Sequence, residues 1–386
     1  MRKIVKSNMK IYSCVAKGGN KNLISLHHLG NEIETADTYM LDRTMRRMLV
    51  TCAGVLVADI FAADLPKVSG PGELTIAPKG IEMHTGGHSA NVSINLREMG
   101  VSEGEVSSVG AIGEDLFGDF IEGVLKSQGV VAHLQRIQEA GTSKNLILVV
   151  TGEDRRFHVD VGANWHLSPE HVQSVLAEEK PFIFYVGATG ILGKFDEKLH
   201  HILQTAKGYS CLTFVDPVVP YKRGWDFLFH ALKWVDIFHC NNFEASSMTG
   251  EKDPRKAAEA LNKEGVRLAI ITMGGQGLIA KTEENTLEMP ALKVPLIDPS
   301  GAGDAFCSGM IYKLVQKTCS RPRDISKLSA EDLSDILLEG AAAGASCVTA
   351  VGTRTAVTRE NVNRLLKEQG QKILEKTSKT AERRAQ

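Results

Sequence analysis

The sequence lacks the cysteine pattern of a disulfide scaffold or a zinc ribbon. Its 386 residues include seven cysteines, an odd and scattered set without a Cys-x-x-Cys pair, whereas both of those classes use closely spaced pairs. The histidines do not show a His-Glu-x-x-His arrangement either, so their spacing does not favour a zinc site. The cysteines therefore favour a reduced, cytoplasmic protein.

The sequence also lacks an excess of charge of either sign and a long apolar run. Lys and Arg total 45 against 46 Asp and Glu, so no net field favours nucleic acid or an anionic membrane surface as a partner. No apolar stretch reaches the roughly 20 residues of a membrane span, and no signal-peptide core follows the basic N-terminus. We therefore expect a small-molecule partner rather than nucleic acid or a membrane.

Short apolar runs alternate with amphipathic segments from Val50 onward, which is typical of βαβ units. Runs this apolar are normally covered by helices on both faces, as in parallel sheets. The pattern predicts a three-layer α/β/α sandwich around a mainly parallel central sheet. The predicted strands are Val50–Val57, Val106–Ile112, Phe182–Val186, Leu212–Val215, Val235–Cys240 and Leu268–Thr272, and predicted helices cover about Ser89–Met99, Leu116–Ser127 and residues 330–350.

Two stretches interrupt this alternation. Residues 61–85 are rich in Pro and Gly, and Leu146–Val150 and Arg156–Val161 read as a strand pair with a turn near Gly152. We expect both stretches to form a small β-flap, or lid, from about residues 60–85 and 143–162. The predicted domain covers residues 48–368, with residues 1–47 as an extension outside the core fold and 369–386 as a charged tail that frays.

The segment from Asp298 to Asp304 reads DPSGAGD and continues directly into an apolar helical pattern. Small residues there leave backbone N–H groups open at the start of a helix, where unpaired donors and the helix dipole favour phosphate oxygens. Gly301, Ala302 and Gly303 are therefore candidates for an anion hole. Asp304 in the same turn can take a proton from an alcohol aimed at that phosphate. The alternative is that Asp304 only caps the helix.

A second glycine turn, GGHSANVSINL at residues 86–96, also opens a helix. Gly86 and Gly87 allow the backbone to approach a polyol closely, and Asn91 can both donate to and accept from hydroxyl groups. An ordinary loop-to-helix junction is the alternative. Neither turn is a Walker loop, and the first strand is not followed by Gly-x-Gly-x-x-Gly. The missing fingerprint counts against the further alternative of a nicotinamide-dependent oxidoreductase.

Together, in this order and separation, the two turns resemble the two signatures of the PfkB carbohydrate kinases, and the resemblance covers roughly residues 49–368. It implies a ribokinase-like fold and transfer of the ATP γ-phosphate to a hydroxymethyl group of a sugar or sugar acid, with Asp304 as general base. By the same resemblance, Asp59 and Asn164 join Gly86, Gly87 and Asn91 in binding the acceptor.

The resemblance also implies a nucleotide site. Asn241 and Glu244 resemble the family's Asn-x-x-Glu element, whose glutamate supports Mg²⁺ through water, and Thr272, Gly274 and Gly277 resemble the turn against the ATP phosphates. A monovalent cation such as K⁺ is implied at Asp298 and Ser300, near residues 347–352. Two departures affect details: Pro299 stands where the signature usually has Thr, and His88 and Ser89 replace the Lys-Gly of ribose-specific members, which disfavours ribose.

Two alternatives of the same fold stay open at this point. One is a nucleoside kinase of the adenosine kinase kind, and the other is a sugar- or nucleotide-binding regulator without catalysis, because fold does not fix function. The lid would expose strand edges, so we also expect a homodimer formed by lid pairing.

Overall fold

A computed structural model describes residues 48–153, 156–318, 324–325 and 328–381 of the protein. The described residues belong to a compact unit that covers Met45–Gln386. The predicted N-terminal extension, residues 1–47, lies outside the described residues, as do residues 382–386 of the predicted tail. The limits of the predicted domain, 48–368, stay a prediction.

The described residues contain strands and helices in regular alternation after a strand-rich start. The strands are β1 Val50–Gly54, β2 Val57–Leu65, β3 Ile81–Gly86, β4 Val106–Gly113, β5 Val131–Ile137, β6 Lys144–Val150, β7 Arg156–Asp160, β8 Ile183–Thr189, β9 Leu212–Pro217, β10 Ile237–Asn241, β11 Leu268–Thr272, β12 Leu278–Lys281, β13 Asn285–Met289 and β14 Ser378–Ala381. The α-helices are α1 His88–Glu98, α2 Leu116–Ser127, α3 Pro169–Glu179, α4 Lys194–Glu197, α5 Leu199–Gly208, α6 Asp226–Phe229, α7 Asn242–Thr249, α8 Pro254–Lys263, α9 Ala302–Thr318, α10 Ala330–Cys347, α11 Arg359–Leu365 and α12 Gln371–Lys376.

The main sheet has the strand order β14-β13-β12-β11-β10-β9-β8-β1-β4-β5. The strands from β11 to β5 pair in parallel, and β12, β13 and β14 add an antiparallel edge. Alternate residues of one strand serve two cores: Ile183 and Tyr185 pack with α9 and α10, whereas Phe184 and Val186 pack with α3 and α5 on the other face. The predicted three-layer α/β/α sandwich is confirmed.

The C-terminal segment differs from the prediction of a fraying tail. Helix α12 buries Ile373 against the core, and β14 then pairs antiparallel with β13, with Ser378 opposite Glu288. The side chains of β14 are all exposed, so the sequence carries no apolar alternation there, and the strand is defined mainly by its backbone pairing with β13. The prediction is therefore wrong for the part of the tail that reaches Ala381.

The predicted lid is present as a second, four-stranded sheet in the order β3-β2-β6-β7. The chain leaves the main sheet at Gly54, so the predicted strand Val50–Val57 is divided between β1 and β2. Strand β2 pairs antiparallel with β3 and parallel with β6, and β6 pairs antiparallel with β7 as predicted. In the row Met83–Ile60–Leu146 the side chains share one face, and in the row His84–Asp59–Asn145 they share the other.

Across the described ranges, no helix combines the length and the apolarity that a membrane crossing requires.

Candidate active site

The two glycine turns, far apart in sequence, meet at the carboxyl ends of the parallel strands. Asp304 lies in the first turn of α9, and Asn91 lies in the first turn of α1. The side chain of Asn91 donates through Nδ2 to Oδ2 of Asp304 at 2.8 Å and accepts from Oγ1 of Thr353 at 3.0 Å. Asn91, predicted to bind acceptor hydroxyls, therefore holds the predicted base in place and connects it to the loop at Thr353.

The second oxygen of Asp304 is buried and free of protein partners. Oδ1 makes no hydrogen bond within the described residues, and Nε2 of His88 lies 3.7 Å from it. Burial raises the pKa of Asp304 above its ordinary value, and the charge of His88 and the hydrogen bond from Asn91 oppose this rise. An unpartnered carboxylate oxygen with increased basicity is suited to accept a proton from a hydroxyl group.

The lid brings Asp59 over the same turn. Asp59 is 4% exposed, and burial raises its pKa to about 6, against a hydrogen bond from Asn145. A Cβ atom at Gly86 would lie 1.9 Å from Oδ2 of Asp59, and one at Gly87, where φ is 89°, would lie 2.4 Å from the carbonyl oxygen of Val55. Position 87 therefore requires glycine because of its backbone, whereas a side chain at position 86 would displace the carboxylate of Asp59; the predicted close approach to a polyol stays a prediction.

The loop before α9 is fixed by two backbone constraints. Gly301 has φ 75°, and a Cβ atom there would lie 2.4 Å from the carbonyl oxygen of Thr353. The carboxylate of Asp298 accepts from the N–H of Ser300 at 2.8 Å and from the N–H of Gly352 at 2.9 Å. These contacts fix the turn, so the first N–H groups of α9, which have no partner within the helix, have a defined direction.

Asp298 and Ser300, the predicted monovalent-cation ligands, also stabilise the loop through their own hydrogen bonds. The carbonyl oxygen of Ser300 accepts from Sγ of Cys347 at 3.3 Å. Each of these oxygens can accept a second partner, because carboxylate and carbonyl oxygens carry two lone pairs. Oxygen donors that converge in one loop fit a monovalent cation, so that part of the prediction is chemically consistent and stays a prediction.

The predicted nucleotide residues lie at the ends of β10 and β11. Asn241 and Glu244 form a capping box at the start of α7, in which each side chain accepts from the other's backbone N–H at 2.9 Å. Burial raises the pKa of Glu244. Gly274 and Gly277 form the turn between β11 and β12 with φ values of 55° and 100°, and a Cβ atom at Gly277 would lie 2.0 Å from a backbone oxygen. Position 277 therefore cannot take a larger residue, whereas at Gly274 only the positive φ disfavours one.

A buried acid–base pair lies beside the start of α9, and no motif of the sequence pointed to its histidine, His239. Nδ1 of His239 lies 2.9 Å from Oδ1 of Asp216, and its Nε2 lies 3.2 Å from Oγ1 of Thr272. Burial alone would raise the pKa of Asp216, but His239 holds it below its ordinary value; burial alone would lower the pKa of His239, but Asp216 raises it. The sequence signal that could have indicated this role is the polar residue His239 inside the apolar strand β10.

Hard ligands for a divalent cation are present beside the predicted base. One carboxylate oxygen each from Asp216 and Asp304 and a ring nitrogen of His88 lie within 4.8 Å of one another. The two carboxylate oxygens, with Glu244 at the same edge of the sheet, are the hard donors that suit Mg²⁺ with retained waters, whereas the imidazole of His88 is not a usual ligand of that ion.

Asn164 is not placed as a free acceptor-binding side chain. Its amide oxygen accepts from the N–H of Leu56 at 3.0 Å, its Nδ2 donates to the carbonyl oxygen of Leu56 at 2.9 Å, and it is 1% exposed. Asn164 therefore holds the short connection through which the chain passes from the main sheet to the lid.

Comparison with known proteins agrees with this fold. The family model described as pfkB family carbohydrate kinase matches residues 49–360. The aminoimidazole riboside kinase of Salmonella typhimurium is 27% identical over 70% of this chain and 84% of its own, and the ribokinase of Haemophilus influenzae is 24% identical over 81% and 95%. The structure of Arabidopsis thaliana ribokinase complexed with ribose and ATP covers 83% of this chain and 99% of that one, with a TM-score of 0.64 at 21% identity.

The fold and the family match define a ribokinase-like enzyme that transfers a phosphoryl group. The chain belongs to the pfkB family of carbohydrate kinases. It is a phosphotransferase of the sugar kinase class, and the alternative of a nicotinamide-dependent oxidoreductase is wrong.

Proposed function

We propose that the protein transfers the γ-phosphoryl group of ATP to a hydroxymethyl group of a sugar or sugar acid, with Asp304 as general base. The observation that carries this proposal is the carboxylate of Asp304, whose Oδ2 is held by Asn91 while Oδ1 is buried without a protein partner. A merely structural carboxylate would have both oxygens satisfied when buried.

The acceptor lies between the lid and the start of α9. Asp59 accepts hydrogen bonds from acceptor hydroxyls, and the glycine pair Gly86 and Gly87 allows the sugar to approach the backbone. Asp304 then takes the proton of the attacking hydroxyl group. Backbone N–H groups of Gly301, Ala302 and Gly303 stabilise the charge that develops on the phosphoryl oxygens.

The nucleotide binds along the neighbouring strand ends. Thr272, Gly274 and Gly277 lie against the phosphates, with Asn241 beside them. When bound, Mg²⁺ at Glu244, through water, neutralises charge on the β- and γ-phosphate oxygens. A monovalent cation at Asp298 and Ser300 completes the proposed set of ions.

The lid supplies both closure and a self-association surface. Its inner face carries Asp59, so closure covers the acceptor and excludes water, which would otherwise compete as acceptor. Its outer face exposes apolar side chains, with Ile81 68% and Met83 40% exposed and Leu146 41% exposed. We propose that a second copy of the chain covers this face in a homodimer. A reduced, cytoplasmic location is consistent with the buried free cysteines of the described residues.

A coupled assay of ADP release tests the proposal. The purified protein with ATP and Mg²⁺ is offered neutral sugars, sugar acids and nucleosides, and the phosphorylated product is identified by mass. We expect turnover with a sugar or sugar acid. Turnover with nucleosides alone would favour the nucleoside kinase alternative, and ligand binding without product would favour the regulator. Asp304→Asn with turnover close to that of the unmodified protein, and with ATP binding intact, would refute the role of the base.

A further inference from the structure

A cavity of about 200 Å³ adjoins the proposed acceptor site and has no part in the proposed phosphoryl transfer. It lies between lid strand β3, the last turn of α1 and the loop that follows residue 351. Its principal polar lining residues are His84, Thr85, Glu98, Thr353 and Arg354. At about 30 Å³ per water the volume corresponds to about six or seven waters, which is less than a whole small-molecule pocket of about 300 Å³ or more. The size suits one substituent of a ligand.

Arg354 is the cation of this cavity, and its donors are mostly unused. Nη2 donates to the carbonyl oxygen of Thr85 at 3.3 Å, whereas Nε is buried without a partner. Among the described residues, no carboxylate oxygen lies within 4.0 Å of the guanidinium, although Glu98 also lines the cavity. Burial lowers the pKa of Arg354, and the charges of Glu98 and Asp59 offset part of this effect. A desolvated guanidinium without an ion pair is costly, and a bound anion would remove that cost.

A second unsatisfied group belongs to Thr85, which also lines the cavity. Oγ1 of Thr85 is buried without a partner, and Thr85 is 1% exposed. His84 does not compete for an anion as a free cation, because its Nε2 lies 2.9 Å from a carboxylate oxygen of Glu82. Arg354 and the hydroxyl group of Thr85 therefore form a donor set of the kind that binds a carboxylate or phosphate.

Three contacts connect residues that line the cavity with residues of the proposed acceptor site. Thr85 precedes Gly86, the glycine against which Asp59 packs. His84 is the cross-strand partner of Asp59. Thr353 donates to Asn91, which in turn holds Asp304. These contacts place Arg354 and its cavity next to the residues of the proposed acceptor site.

We propose that the acceptor carries an anionic group, a carboxylate or a phosphate, besides its reacting hydroxyl group, and that Arg354 binds this anion with help from Thr85. The proposal rests on the proposed kinase function, because it specifies the substrate of that same site. The guanidinium fork binds either anion in a bidentate manner, so the two sources are separated by experiment.

The test compares matched acceptors in the ADP-release assay. Fructose is the neutral acceptor, fructose 6-phosphate carries a phosphate, and 2-keto-3-deoxygluconate carries a carboxylate. We expect kcat/KM for at least one acidic acceptor to exceed that for fructose by about 10-fold or more, because a charge-assisted bidentate contact is about twice as strong as a neutral one. A neutral acceptor preferred over both acids would overturn the proposal and leave the kinase function intact.

Variants of Arg354 separate binding from folding. Arg354→Gln is expected to raise KM for the preferred acidic acceptor about 10- to 100-fold and to leave KM for fructose unchanged within about 3-fold. Arg354→Lys keeps the positive charge but not the forked guanidinium, so its KM for the acidic acceptor should lie between those of the unmodified protein and Arg354→Gln. Arg364→Gln removes an arginine that is 53% exposed on α11, and it serves as the matched control with unchanged kinetics. Equal losses for acidic and neutral acceptors would contradict the proposal.

A binding measurement keeps this inference separate from the kinase function. In thermal melts the acidic acceptor should raise the melting temperature of the unmodified protein and not that of Arg354→Gln, by mass action. If this difference appears without any phosphorylated product, the anion site is supported and the proposed function fails. If product forms and Arg354→Gln binds the acid as well as the unmodified protein does, the anion site is wrong and the kinase function remains.

Discussion

Asn91→Ala tests how the predicted base is positioned. The substitution removes the donor 2.8 Å from Oδ2 of Asp304 and leaves both oxygens of that buried carboxylate without a protein partner. The hydrogen bond stabilises the ionised form, so its loss raises the pKa of Asp304 further. A hydrogen bond to a charged group contributes about 1.5–3 kcal/mol. At about 1.4 kcal/mol per pKa unit, the rise is about 1–2 units.

The assay is the dependence of kcat on pH with saturating ATP and acceptor. In the proposed mechanism activity requires ionised Asp304, so the acid limb of the profile would report the pKa of this group in the complex. In Asn91→Ala the limb should move to higher pH by about 1–2 units, with a lower plateau because the carboxylate loses its fixed orientation. An acid limb at the same pH as in the unmodified protein would refute the reasoning.

Thr353→Val is the matched control for that experiment. It removes the hydroxyl that donates to Oδ1 of Asn91 and leaves the donor to Asp304 in place. We expect its acid limb to coincide with that of the unmodified protein. A shift in both variants would mean that general disturbance of the loop, rather than the lost donor, changes the pKa.

Three further predictions concern the same site. Asp304→Asn should lower kcat about 100-fold or more. Because the pKa of Asp304 is raised in the folded state, the ionised carboxylate destabilises the folded protein, so the variant should melt at a higher temperature than the unmodified protein at pH 8. This gain in melting temperature should shrink as the pH falls towards 4. Asp59 has a pKa of about 6, so KM for the acceptor should fall as the pH rises through 6, and KM in Asp59→Asn should lack this dependence. Gly86→Ala should raise KM for the acceptor and leave ATP binding, measured by calorimetry, unchanged, since the new methyl group would overlap the Asp59 carboxylate.

The fold was predictable wherever one strand is buried on both faces. Strands such as Leu268–Thr272 are continuous apolar runs because helices cover both sides of a parallel sheet. Their burial is therefore visible in the hydrophobicity of successive residues. Strand β5, which is only half-buried, and the wholly exposed β14 carry no such pattern. Their positions depend on backbone pairing with neighbours in space, and single-residue hydrophobicity does not report such pairing.

The local part of the site was also predictable, and the long-range part was not. Gly87 and Gly301 have φ values of 89° and 75°, a local backbone conformation that favours glycine, so the composition of these turns reveals them. The partners of Asn91, by contrast, are residues 213 and 262 positions away. We therefore expected Asn91 to face the acceptor. In the folded protein its side chain instead contacts the carboxylate of Asp304 and the hydroxyl group of Thr353.

Two buried aspartates at one sheet edge show how the folded environment assigns roles that residue type leaves open. Asp216 has His239 as a direct partner, and its pKa lies below the ordinary value. Among the described residues Oδ1 of Asp304 has no hydrogen-bond partner, Nε2 of His88 lies 3.7 Å from it, and the pKa of Asp304 lies above the ordinary value. Because the environments separate the two pKa values, Asp216 remains ionised and holds His239, whereas Asp304 has the basicity to take up and release a proton. The assignment of the base to Asp304 therefore rests on its surroundings as well as on its place in the DPSGAGD turn.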